Sequence, residues 1–431
     1  MKNEASRYNI AHVNEWNFLL HWSAMLAVFQ ARKAKADQLL RAIPPITVEV
    51  DPVDHCNHQC PWCFTLAHRA TDRLSEATVN KVIKELGQMG AKSVHFAGGG
   101  EPTLFRRFAA RRGSKDPSPD KSVQTLLDAV KSAGLVAGLI TNGSTLRILD
   151  PEFLTSRLAW IRVSIDAGTE ARYQAKHRPK GHTLKDVHLG IADVIGKRAA
   201  GIYPTIGASF IFEQNTSEMK DEILKFVSDL AALGADFVQI KPENNNRGAD
   251  ADRFLASFRT EIASKLKGGV TLAIMNAPHR HSAHAGYCWY SHFGPVVGAT
   301  GDVFACCYTY GMPEFRYGNL DEYGNSFQNL WGSAERLNLS STIDPKGCHT
   351  CRHRSFNELG DRLYLLGEGA WHSVTQLLDL IDRGAEVDPQ HLPENLRWMD
   401  AGFAQYRRLR SIGHNDLLQY PVYRPTEFIG G

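Results

Sequence analysis

Across residues 11–43, Trp16, Leu19, Leu20, Trp22, Leu26, Phe29 and Leu39 recur at helical spacing, with Lys and Arg gathering near the end. Pro44-Pro45 stops this predicted helix, because proline lacks the N–H a further turn needs. From Ile46 the pattern becomes short apolar, β-branched runs alternating with amphipathic stretches. The runs predict strands at Ile46–Val50, Ser93–Ala97, Val136–Thr141, Trp160–Ile165, Ile206–Phe212 and Phe237–Ile240. Helical periodicity fills 75–89, 122–133, 184–199 and 216–233 between them. Six strands separated by helices predict an α/β fold of parallel βαβ units, as an open sheet or a partial barrel.

After residue 250 this rhythm breaks. Residues 286–351 carry turn signals without a long helical period, and residues 352–431 become helical again through Leu363, Leu365, Leu366, Leu377, Leu378, Leu380 and Ile381. Residues 106–121 read as a basic, solvated surface insertion.

Composition narrows the class. The chain has 431 residues, 43% hydrophobic and 22% charged, ample for a sizeable core. Its net charge of +3 gives little reason to expect a nucleic-acid partner. The longest apolar stretch, within residues 18–29, is interrupted by His21 and Ser23, well short of the ~20 apolar residues that span a bilayer. The start, MKNEASRYN, lacks an apolar segment after a basic one, so no secretory signal or membrane association is expected and the protein is expected to be cytoplasmic.

The eight cysteines fall in two groups, at 56, 60 and 63 and at 288, 306, 307, 348 and 351. A reducing compartment disfavours a disulfide framework. Cys56-x3-Cys60-x2-Cys63 follows the first predicted strand. Three thiolates in one loop can ligate three irons of a [4Fe–4S] cube and leave the fourth open to a cofactor or substrate. Structural zinc competes, with His55 or His58 as a fourth ligand. Gly98-Gly99-Gly100-Glu101-Pro102 follows the second strand, at the sheet edge where parallel α/β folds bind ligands. Cys288-x12-Gly301-x4-Cys306 and Cys348-x2-Cys351 supply four more thiolates, enough for a closed cluster, although a zinc ribbon has similar ingredients.

The cysteine loop, with Trp62 before its third cysteine, and the following GGGEP together resemble the radical S-adenosylmethionine (SAM) superfamily over about residues 46–241. The resemblance implies a partial (β/α)6 TIM-like barrel whose open iron is chelated by SAM. Reductive cleavage of SAM then yields a 5′-deoxyadenosyl radical that abstracts hydrogen from an unactivated C–H. It implies cofactor contacts from Gly98, Gly99, Gly100, Glu101 and Pro102, from Asn142 within Thr141-Asn142-Gly143, and from Ser164 within Ser164-Ile165-Asp166. Ala167 departs from the glycine that often follows there, and Arg178 stands where relatives place an arginine near the SAM carboxylate. A valine at Gly100 is expected to weaken SAM binding and leave the cluster in place.

The second cysteine group, with Gly318-Asn319-Leu320, Phe327 and Trp331, resembles the SPASM/twitch auxiliary-cluster extension of this superfamily. The resemblance implies a second [4Fe–4S] cluster on Cys288, Cys306, Cys348 and Cys351. A full SPASM domain has a further cysteine where this chain has Asn357, which favours a single auxiliary cluster. Cys307 is left over, as a buried thiol or as the ligand in place of its neighbour.

The expected organisation is a helical extension at 1–45, the barrel at 46–265, an auxiliary-cluster domain at 266–360 and a helical extension at 361–431. Many peptide-modifying relatives carry an N-terminal winged-helix domain, and only 45 residues precede the first strand here. This tilts the expectation toward oxidation of a small polar, sugar- or cyclitol-like substrate, with the auxiliary cluster as electron acceptor. Radical modification of a ribosomal peptide or protein side chain is the alternative, and a non-catalytic Fe–S or zinc protein the remote one. An external one-electron reductant such as flavodoxin or ferredoxin is implied. Lys241 and Glu243, ending the sixth strand, are candidate catalytic residues by position.

Overall fold

The computed structural model describes residues 19, 21–63, 65, 72–105, 121–198, 204–243, 250–251, 253–257, 261, 270–274, 286–345, 348, 351, 353–385 and 392–410. Six strands fall where the apolar runs predict them: β1 (Thr47–Val50), β2 (Ser93–Phe96), β3 (Val136–Thr141), β4 (Leu158–Ser164), β5 (Thr205–Phe212) and β6 (Phe237–Pro242). Each pairs in parallel with the next. A seventh strand, β7 (Thr271–Ile274), joins β6 in parallel. Its four residues were too short a run to stand out in the sequence.

The sheet also grows at its other edge. β8 (Val296–Val297) pairs in parallel with β1, β9 (Asp302–Phe304) turns back on β8, and β10 (Arg316–Asn319) turns back on β9. One ten-stranded, open sheet results, in the order β10-β9-β8-β1-β2-β3-β4-β5-β6-β7. The fold is a partial TIM-like α/β barrel, and the later cysteine region is joined to it through β1.

The connecting helices are defined by their ends. Ser75 caps α2 (Glu76–Met89), which stops at Gly90 in the left-handed region. α3 (Lys121–Ser132) and α4 (Pro151–Arg157, capped by Asp150) flank β3. Thr169 caps α5 (Glu170–His177), and Thr183 with Asp186 forms a capping box on α6 (Leu184–Gly196). Thr216 caps α7 (Ser217–Ala232). Val79, Val82, Ile83, Leu126, Leu127, Ile191 and Ile223 on these helices bury against Val48, Val50, Val94 and Val163 of the sheet. Burying a side chain of this size contributes roughly 1.5–3 kcal/mol.

The N-terminal helix is shorter than its periodicity suggests. α1 runs Trp22–Lys33, Lys35 adopts φ 50°, and a 3-10 turn follows at Asp37–Ala42. The expected helical residues before 19, and most of the basic insertion (106–120), lie outside the described residues. Toward the C-terminus come α8 (Phe327–Trp331), α9 (Ala334–Thr342), α10 (Arg354–Asp382, kinked at Gly367) and α11 (Asp400–Arg410).

α1 and α10 share a second core. Phe29 packs edge-on against Trp289 at 4.9 Å and lies 5.2 Å from Trp371, and Trp22 Nε1 donates to Thr375 Oγ1 at 2.8 Å. The same core takes in Ile46 and Trp160 from the starts of β1 and β4. Gly138 makes room for Trp160, since a Cβ there would lie 2.0 Å from the indole. The N-terminal end of the barrel is thus plugged, and the chemistry-bearing residues collect at the other end. No helix among the described residues is long and apolar enough to cross a membrane.

Candidate functional site

The cysteine loop leaves β1 and is tied to its neighbours by backbone bonds that do not use the thiols. Gln59 N–H donates to the His177 carbonyl at 3.0 Å, Lys180 N–H to Asn57 at 3.3 Å, and Glu101 N–H to His55 at 2.9 Å. Cys56, Cys60 and Cys63 form no disulfide and are half-buried. His58 N–H and Asn142 Nδ2 donate to Cys56 Sγ at 3.4 and 3.8 Å. Cys63 Sγ lies 3.1 Å from Thr65 Oγ1, which donates to the Gly99 carbonyl at 2.8 Å. The first cysteine loop and the glycine turn are therefore one structure.

The glycines are required by that contact. A Cβ on Gly100 would fall 2.1 Å from the His55 carbonyl oxygen, and one on Gly99 would fall 2.2 Å from Asp54 Oδ1. This corrects the expectation for Gly100→Val. Its side chain collides with the cysteine loop, so the variant is expected to lose cluster iron together with SAM binding. Iron analysis after anaerobic reconstitution checks this; full iron content with weakened SAM binding would restore the simpler picture.

Glu101 is 1% exposed. Its carboxylate accepts from Thr103 N, Thr103 Oγ1, Thr141 Oγ1 and Asn142 N at 2.7–3.2 Å. Burial pushes its carboxyl upward, opposed by those donors. Glu101 acts as a clasp that joins the glycine turn to the end of β3. Asn142 is delivered by the clasp to the cysteine loop, where its Nδ2 also donates to Asn57 Oδ1 at 2.8 Å.

His177 and His182, to which the sequence assigned no role, join His58 beside the cysteine loop. His177 Nδ1 lies 3.3 Å from Cys60 Sγ, while its Nε2 lies 2.6 Å from the Ile165 carbonyl oxygen. His58 Nε2 lies 2.6 Å from His182 Nε2. Two histidines bracketing the α5–α6 turn were the available signal. Ser164 ends β4 in register with Ser209. Arg178 is exposed in the left-handed cap of α5. Lys241 and Glu243 stand half-buried where β6 ends.

The later cysteines converge on one cavity. Cys288, Cys306, Cys348 and Cys351 line it, together with Tyr290, Tyr308, His353 and Asn357. Cys307 is not among its lining residues; it packs against Val296, Phe304 and Tyr310. Burial, and then the other three thiols, push Cys288 well up; burial and neighbouring cysteines push Cys348 and Cys351 up to about 12. Asn357 Nδ2 donates to Cys351 Sγ at 3.8 Å, and Thr309 Oγ1 to Cys306 Sγ at 3.8 Å. Tyr310, beside Cys307, donates to Asp54 Oδ1 at 3.2 Å and so links this region to the glycine turn.

A radical SAM superfamily profile matches residues 50–227, so the chain contains a radical SAM domain. It is a radical SAM enzyme. The chain is 23% identical over 326 residues to PqqA peptide cyclase of Gluconobacter oxydans (strain 621H), covering 72% of this chain and 84% of that protein. Its fold resembles SuiB of Streptococcus suis. The SuiB structure bound to precursor peptide SuiA gives a TM-score of 0.53 at 12% identity, covering 72% of this chain and 70% of SuiB. The SAM-bound SuiB structure gives 0.51 at 15% identity, covering 68% of this chain and 67% of SuiB.

The family implies SAM and a [4Fe–4S] cluster, and the donor sets fit clusters better than zinc. Zinc about 2.3 Å from each thiolate would hold the sulfurs about 3.8 Å apart. Among the described residues neither cysteine set brings three sulfurs within 4.8 Å of one another; the one group that tight is His58, Cys60 and His177.

Proposed function

We propose that this radical SAM enzyme modifies a peptide, with Cys56, Cys60 and Cys63 ligating the SAM-cleaving cluster and Cys288, Cys306, Cys348 and Cys351 an auxiliary [4Fe–4S] cluster. The observation that carries the peptide reading is the likeness to PqqA peptide cyclase, which extends over 326 residues and so well beyond the shared 50–227 domain. This reading replaces oxidation of a sugar- or cyclitol-like molecule. When bound, the cluster and SAM supply a 5′-deoxyadenosyl radical that removes a hydrogen atom from substrate.

The chain's own residues position that chemistry. Gly98, Gly99 and Gly100 offer a backbone edge to SAM beside the cysteines, while Glu101 and Pro102 hold the edge in place. Ser164 reaches the mouth of the barrel from β4 to meet the ribose. Arg178 follows His177, whose carbonyl is bonded to the cysteine loop, and would meet the SAM carboxylate there. Lys241 and Glu243 are the candidates for proton transfer at the mouth. An external one-electron reductant of the flavodoxin or ferredoxin type completes the system.

The test is anaerobic incubation of reconstituted protein with SAM and dithionite, with and without a panel of candidate precursor peptides. The expected result is peptide-dependent 5′-deoxyadenosine and a changed peptide by mass spectrometry or chiral analysis. Deoxyadenosine formation with an unaltered peptide, and conversion of a cyclitol instead, would overturn the peptide reading.

A further inference from the structure

His353 is 7% exposed and lines the cavity on which Cys288, Cys306, Cys348 and Cys351 converge. Neither of its ring nitrogens has a hydrogen-bond partner among the described residues. A neutral imidazole always carries one N–H, and buried donors are rarely left without an acceptor. The ring is also held in place. Tyr290 stacks on it at 3.4 Å between centroids with 7° between planes, and Tyr308 meets it edge-on at 5.7 Å. Tyr290 is anchored in turn by its N–H, which donates to Asn357 Oδ1 at 3.1 Å.

Two other polar side chains of this wall are already engaged. Asn357 and Thr309 each donate to a cysteine sulfur. A rigid donor on the wall of a cavity lined by four thiols therefore lacks an acceptor, and an iron–sulfur cluster bound there would supply several.

We propose that the His353 imidazole donates its N–H to a sulfur of the auxiliary [4Fe–4S] cluster and thereby sets that cluster's reduction potential. The inference rests on the four-cysteine reading above. Hydrogen bonds to cluster sulfurs stabilise the more negative, reduced state, so a donor raises the potential. His353 is thus a tuning residue that leaves the ligand count at four.

The experiment uses the full chain carrying Cys56→Ala, Cys60→Ala and Cys63→Ala, so that the remaining cluster signal belongs to the auxiliary site. His353→Phe in this background is expected to keep about four irons per chain. Its midpoint potential, followed by EPR during redox titration, is expected to fall, with altered g values. His353→Gln, which keeps an N–H donor, is expected to bring the potential back toward that of the parent. An unchanged potential and spectrum in His353→Phe would overturn the proposal, as would a Gln variant that behaves like Phe. Iron lost from both His353 variants but kept in the parent would also overturn it, by making the imidazole a ligand or a structural prop. No iron in the parent itself would instead defeat the auxiliary-cluster reading, and this inference with it.

Discussion

Replacing Cys56, Cys60 and Cys63 together by alanine will reduce 5′-deoxyadenosine formation to background, while the protein folds and elutes as the parent does. The structure separates these two outcomes. The loop is held by Gln59 N–H on the His177 carbonyl, Lys180 N–H on Asn57 and Glu101 N–H on His55, and none of these uses a sulfur. The cysteines are half-buried, so truncating them removes little packing. What disappears is the ligand set, since a cube with an open iron needs three thiolates to stay seated. Single alanine variants are expected to fall almost as far. Anaerobic assay with SAM and dithionite, read by chromatography, checks the result; a triple variant that still forms 5′-deoxyadenosine would sink the assignment.

On the proposed assignment the same triple variant will retain about half of the wild-type iron, about four of eight per chain, because four thiolates would close the later site without an exogenous ligand. Within that variant, Cys306→Ala is expected to lose the remaining iron and Cys307→Ala to keep it. Cys306 lines the shared cavity, whereas Cys307 packs against Val296, Phe304 and Tyr310. Iron and zinc analysis of purified protein distinguishes the cases. Zinc in place of iron, or dependence on Cys307, would refute the four-cysteine assignment. Loss of Cys348 or Cys351 should also lower the melting temperature, because the binding free energy of the cluster they would hold contributes to folding.

Much of the barrel was legible without coordinates. The six strands from Thr47 to Pro242 start and end within two residues of the apolar runs, and α2, α3, α6 and α7 lie under the helical periods. The short helices α4 and α5 were missed, being seven and eight residues long and carrying little periodic signal. The meeting of the cysteine loop with the glycine turn was equally legible, because the cysteines share one loop after a strand and the glycines directly follow the next. The roles of Glu101 and Gly100 were not, since both depend on what lies opposite. Glu101 looks inward to Thr103, Thr141 and Asn142, and Gly100 faces the carbonyl of His55.

The sequence by itself determined the strand–helix rhythm, the three-cysteine loop at the end of β1 and the glycine turn at the end of β2. These are properties of neighbouring residues, written in side-chain period and covalent spacing. Tertiary structure alone decided which residues far apart in the chain meet. Pairing of β8 with β1 carries Tyr310 to Asp54 and joins the later cysteine region to the first site. Folding also gathers Cys288 and Cys306 with Cys348 and Cys351, and sets His353 beside them under Tyr290. The choice between Cys306 and Cys307 is the clearest case. Cys306 is extended and Cys307 begins a 3-10 turn, so adjacent thiols diverge to opposite surroundings. Spacing cannot tell two neighbours apart, but the direction of each Cα–Cβ bond in the packed chain does.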